Sequence, residues 1–248
     1  MTAFERHGIA HLSASSLNLY AAEPALWVME RLLGKRGKVG AAAHRGSASE
    51  AGITHGLLNP EASIEDCQAI AIKEYDRLTA LSGDPKRETE RAAVPGIVKI
   101  GLAELRQYGV PDMVQTRIDL ALPGVSVPLV GYLDFGWSHH GLIVDLKTQL
   151  KLTSQITPSH ARQVALYIHG RNQEARVAYV TPAKIGVYRL ESADEHIHAL
   201  TCIAQRLERL LAISADPAEI AAIMVPNYDA FYWSDPHTRA TGREVFGF

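Results

Sequence analysis

The chain has 248 residues, 47% of them apolar and 21% charged, a balance that excludes disorder, collagen and coiled coil and supports a full core. Its 25 basic and 27 acidic side chains leave a formal net charge of −2, so an anionic partner has to be met by local patches. Two cysteines (Cys67 and Cys202), no membrane-length apolar run and no basic-then-apolar leader predict a reducing, cytoplasmic setting without a membrane.

The first 110 residues read as helices. Ser13 offers an N-cap for a segment reaching Tyr20, and Pro24 opens a second that ends near Gly34. Alanine-rich stretches over 40–58 and 63–81 follow, and a helix over 87–108 stops at Gly109 and Pro111. The period then changes. Residues 114–122, 127–136 and 141–148 are rich in β-branched and apolar side chains, with turn residues between them, which predicts three antiparallel strands. A helix over 158–169, strands over 176–180 and 186–190, helices over 192–213 and 217–224, and an aromatic tail are expected next. The order predicts one α+β (mixed α/β) domain over 1–248: a mainly helical part to 110, a sheet core over 111–191, and C-terminal helices and tail over 192–248.

The chemistry concentrates in Gly131-Tyr132-Leu133-Asp134-Phe135 and Ile143-Val144-Asp145-Leu146-Lys147-Thr148. Asp134 and Asp145 fall on adjacent strands of a predicted hairpin, and Asp145 and Lys147, two apart, share a face. A carboxylate among apolar neighbours is costly unless a metal or a cation meets it. Two readings are open: a buried Asp–Lys pair beside a hairpin-end aspartate, or two oxygen ligands for a hard divalent cation with a lysine to orient an attacking water.

The flanking sequence is similar to the PD-(D/E)xK nucleases, in particular the RecB-like and phage-type exonucleases. Gly131…Asp134 followed by Asp145-Leu146-Lys147 resembles their central motif. Arg45-Gly46-Ser47-Ala48-Ser49-Glu50 resembles their helix-borne motif, Gln163…Tyr167 their Gln-x-x-x-Tyr, and the opening Leu12…Leu17 with Tyr20 and Pro24 their N-terminal helix. The resemblance implies a restriction-endonuclease-like core, a central mixed sheet flanked by helices. It implies Mg²⁺, with Mn²⁺ able to substitute, held by Glu50, Asp134, Asp145 and the backbone carbonyl near Leu146. Lys147, Gln163 and Tyr167 would complete the catalytic set, Gln163 orienting the lysine or a phosphate and Tyr167 facing the DNA. The sequence departs from the family in having Leu133 before Asp134 where the name has proline, and aspartate rather than glutamate at Asp145. The iron–sulfur cysteines of some relatives are missing, and so are helicase motifs.

The implied activity is a DNA exonuclease serving recombination, repair or phage DNA processing, with DNA as partner alongside a helicase, a recombination protein or a second copy of the chain. An endonuclease of the same fold and a catalytically weak DNA-binding scaffold are the alternatives. Arg31, Lys35, Arg36, Lys38 and Arg45 form a basic run with no acidic residue between 31 and 49, which reads either as phosphate contacts beside the Glu50 helix or as a solvated surface. Lys151 and Arg162 join them as candidate DNA contacts, as does Ser47 through its motif. Asp119 reads as an exposed edge-strand position, the two cysteines as packing thiols, and the eleven histidines form no recognisable zinc set.

Overall fold

Capping side chains fix five of the α-helix starts in the computed structural model, which describes residues 1–247. A capping box of Thr2 and Glu5 opens α1 (Ala3–Arg6), and Ser13 caps α2 (Ala14–Ala22). Next come α3 (Pro24–Trp27), running into a π turn at Val28–Leu32, then α4 (Ala41–Leu58), α5 (Ile64–Leu78) on its Ser63 cap, and α6 (Arg87–Leu105). The strands β1 (Met113–Leu120), β2 (Leu129–Trp137) and β3 (Leu142–Thr148) precede α7 (Pro158–Arg171). Then follow β4 (Glu174–Val180), β5 (Ile185–Arg189), α8 (Ala193–Leu211), α9 (Pro217–Ala222) and α10 (Pro236–Phe246). Two helices depart from expectation. The four residues of α1 are too short to show a period, and the tail winds into α10 because Asp235 accepts from the Thr238 N–H at 2.7 Å.

The five strands form one sheet in sequence order. All neighbours are antiparallel except β3 and β4, which run parallel because α7 carries the chain back between them. Helices cover both faces. Side chains of α2, α7 and α8 pack with Leu133, Ile143, Val177 and Tyr179 on one side, and α4, α5 and α6 pack with Phe135, Trp137, Val144 and Val180 on the other. Among the described residues no helix is long and apolar enough to cross a membrane.

One detail of the sheet positions everything that follows. In an undisturbed strand, residues two apart share a face, yet Leu133 packs in the α7 layer and Phe135 in the α4 layer. The pleat therefore reverses at Asp134. The same reversal occurs on β1, where Val114 packs toward α4 and Ile118 toward α7. Its cause is Gln115, held at φ 45° in the left-handed region, where an L side chain is strained. The ladder pairs Val114 with Phe135 and Thr116 with Leu133 and skips the pair between. Burial thus runs unbroken from Leu133 to Trp137 instead of alternating.

The helical layer that carries α4 is packed against α5 at Gly52, where a methyl group would come 2.6 Å from the Cys67 carbonyl and 2.8 Å from the Ala71 side chain. Because one of those atoms is backbone, the helices themselves would have to move. Gly52→Ala should lower stability by about 1–3 kcal/mol, read as a lower urea midpoint with an unchanged slope.

Candidate active site

β2 and β3 pair from Trp137↔Leu142 as far as Phe135↔Val144 and then part. Asp134 and Asp145 stand at the mouth of that split. A backbone amide that leaves a ladder needs another acceptor, and Asp134 supplies it, its Oδ2 accepting from the Leu146 N–H at 2.7 Å. The other oxygen, Oδ1, accepts from the Gln115 side-chain amide at 3.1 Å.

Asp145 is fully buried, with the Lys147 Nζ 2.7 Å from its Oδ2. The lysine meets Oδ2, while Oδ1 is left buried without a hydrogen-bond partner. Glu50, from α4, completes the acidic group, since the Gln115 amide also donates to its Oε1. Burial pushes the Asp134 carboxyl well above the usual range, and the Asp145 charge adds to the effect. Burial raises Glu50 as well, more than the Gln115 hydrogen bond and the Lys147 charge lower it. For Lys147 burial works downward, but the charges of Asp145 and Asp134 outweigh it and hold the ammonium above its ordinary value. The cluster is short of positive charge. Hard oxygen donors in that state, one of them orphaned in the interior, fit a divalent cation. Among the described residues no three His, Cys, Asp or Glu side chains yet surround one point that could hold a metal ion; the Gln115 amide stands between Glu50 and Asp134.

A cleft of about 320 Å³ opens onto this cluster, walled by Ala42, Ala43, Gly46, Ser47 and Glu50 of α4 and by Asp134, Leu146, Lys147 and Thr148. The small residues of α4 keep it open. Arg45 differs from its expected place. It is buried, paired with Glu90 of α6, and donates to the Thr148 carbonyl at 2.9 Å, so it locks α4 to α6 and to the end of β3 and is closed to a phosphate. That lock sets where Glu50 falls.

From α7, Gln163 donates to the Tyr167 hydroxyl at 2.7 Å, and Tyr167 donates to the Tyr132 carbonyl at 2.7 Å. Tyr167 is fully buried, and burial pushes its hydroxyl pKa up. The expected reach of Gln163 to Lys147 and of Tyr167 to the DNA is replaced by a brace from α7 to β2, two residues before Asp134. The brace is close-packed at Gly131, where a Cβ would meet Leu166 at 2.6 Å and Tyr167 at 3.2 Å.

Two residues at the site belong to none of the sequence motifs. Gln115 is one; the pairing of β1 with β2 was its only signal. His160, one turn before Gln163, bonds the Tyr179 hydroxyl through Nδ1 at 2.7 Å, and burial, helped by the Lys147 charge, lowers its pKa. The outer candidates are scattered. Arg31, Lys35, Arg36, Lys38, Lys151 and Ser47 are exposed, while Arg162 donates to Asn18 Oδ1 at 2.5 Å and is half-buried. Asp119 is exposed on the edge strand, as expected, and paired with Arg117 at 2.7 Å. Cys67 is buried, but Cys202 is half-buried on α8.

A mixed sheet whose parted hairpin offers two aspartates and a lysine to a small-walled cleft has the frame of a phosphodiester-cleaving hydrolase. The chain belongs to the PD-(D/E)XK nuclease superfamily, whose family model matches residues 11–231; nucleases of this superfamily typically use divalent metals and act on DNA. No curated protein matches the chain. It is also similar to the solved structure titled "Crystal structure of SSO0001", with 13% identity and a TM-score of 0.36 over 74% of this chain and 84% of that one, a likeness too slight to carry an argument.

The Arg45–Glu90 pair offers a direct test of the lock. Glu90→Leu alone leaves a buried guanidinium unpaired and should cost about 3–5 kcal/mol, whereas Arg45→Met with Glu90→Leu should recover most of that loss. Urea unfolding of the single and double variants measures both.

Proposed function

We propose that the protein is a Mg²⁺-dependent deoxyribonuclease, with Mn²⁺ able to substitute, that degrades DNA from its ends in recombination, repair or phage DNA processing. The observation that carries the metal-dependent part is the fully buried Asp145 carboxylate, its Oδ1 free of hydrogen bonds and its Oδ2 met by Lys147, beside Asp134. The end-directed part rests on the resemblance of the sequence motifs to RecB-like exonucleases.

Asp134, Asp145, Glu50 and the Leu146 carbonyl would hold the ion. A divalent cation supplies Lewis acidity, polarising a phosphoryl oxygen and making water a better nucleophile. Lys147, carried as an ammonium, donates to the attacking water or to a phosphate oxygen and offsets negative charge as it builds on phosphorus. Leu133 and Phe135, anchored in opposite layers, hold the Asp134 backbone between them. Gln163 and Tyr167 are positioning residues that fix β2 against α7. Exposed Arg31, Lys35, Arg36 and Lys38 lead the DNA toward the cleft, with Lys151, Arg162 and Ser47 as further contacts on its route.

Linear and covalently closed circular DNA digested side by side with Mg²⁺ test the reading. Linear DNA should disappear and closed circles survive; cut circles would make the protein an endonuclease, and two intact substrates a binding scaffold. Asp134→Ala and Asp145→Ala should each abolish cleavage while the far-ultraviolet circular dichroism stays native. Lys147→Met, which keeps the stem and removes the charge, should lower kcat at least about 100-fold with DNA affinity retained. Neutralising Arg31, Lys35, Arg36 and Lys38 together should flatten the plot of log affinity against log salt by about 0.7–0.9 for each DNA phosphate the protein no longer neutralises; an unchanged slope would leave them as ordinary surface charges.

A further inference from the structure

Gln115 lies on the edge strand β1, in a left-handed backbone conformation and exposed to solvent. Its side chain nevertheless turns inward. A single NH₂ group donates both to Glu50 Oε1 and to Asp134 Oδ1, one hydrogen to each carboxylate. Carboxylates brought together without a cation repel one another, and Lys147 is engaged with Asp145. The amide nitrogen, the positive end of a neutral dipole, therefore occupies the place between Glu50 and Asp134 that a shared cation would take.

We infer that Gln115 is a displaceable substitute for the metal ion: its amide keeps Glu50 and Asp134 aligned in the metal-free protein, and a cation that binds both carboxylates must drive it outward. This inference rests on the metal-site reading above. Solvent exposure gives the side chain a place to go. The backbone at residue 115 is already outside the ladder with Asp134, so the movement leaves the sheet intact. The arrangement makes Gln115 a gating residue that sets the metal concentration at which the site fills.

Mn²⁺ titration by calorimetry, without DNA, tests it on the wild type and on Gln115→Gly. Glycine suits a φ of 45° and removes the competing amide, so the variant should bind Mn²⁺ about 10-fold more tightly, in line with losing a hydrogen bond to a charged group. Gln115→Glu reads the same competition through stability. It adds a carboxylate where a donor stood, so its melting temperature in chelator should fall below that of the wild type, and its rise on adding Mn²⁺ should be the larger of the two. A Gln115→Gly variant that binds Mn²⁺ no better than the wild type, or a Gln115→Glu variant whose rise only equals the wild type's, overturns the gating role while the cation site stands. A wild type that binds no Mn²⁺ removes the site and the gate together.

Discussion

The site depends on two strands falling out of step. Where β1 and β2 would pair Gln115 with Asp134, and where β2 and β3 would pair Asp134 with Asp145, the ladder is missing. A continuous sheet would bury its amides against each other and leave no opening between strands. The break exposes amides that need acceptors, and a carboxylate is the acceptor that also brings charge. Asp134 is thus structural and chemical at once: the bond that satisfies Leu146 also fixes the direction of its carboxylate.

Two buried ion pairs stand a few residues apart and do opposite work. Arg45 and Glu90 are both enclosed, with further hydrogen bonds from the guanidinium to Thr148, so their charges cancel and the pair acts as a clamp between helices. Asp145 and Lys147 are also in contact, yet Asp145 Oδ1 lacks a donor and Lys147 keeps 22% of its side-chain surface open. A clamp needs closure; the second pair keeps a charge incompletely answered, as the proposed catalytic role requires. The difference lies in the surrounding donors, not in residue type.

Much of this architecture was legible in the sequence. The switch from helical runs to β-branched runs marked the sheet, and the two-residue spacing of Asp145 and Lys147 gave their common face. Motif residues were harder to assign by role. Arg45 sits in a basic run, and only the fold brings Glu90, distant in the chain, beneath it. Tyr167 shares a helix face with Gln163, as its spacing requires, but spacing does not say whether a face meets solvent or β2. Gln115 left no local trace, because its importance comes from the residue across the strand and from a left-handed backbone that glutamine does not announce. The final helix was hidden by aromatic residues that read as a tail until the Asp235 cap is seen to hold its first turn.

The parallel pairing of β3 with β4 has a consequence for the timing of activity during synthesis. Glu50, Asp134, Asp145 and Lys147 all leave the ribosome before α7 and β4, whose Val177 and Tyr179 pair with Asp145 and Lys147. Parallel strands cannot form as a local hairpin and must wait for the crossover between them. A nascent chain therefore carries every acidic residue of the cluster without the enclosed setting that shifts their charges. The cluster is enclosed late, after β4 has docked, and a partly made chain holds it open.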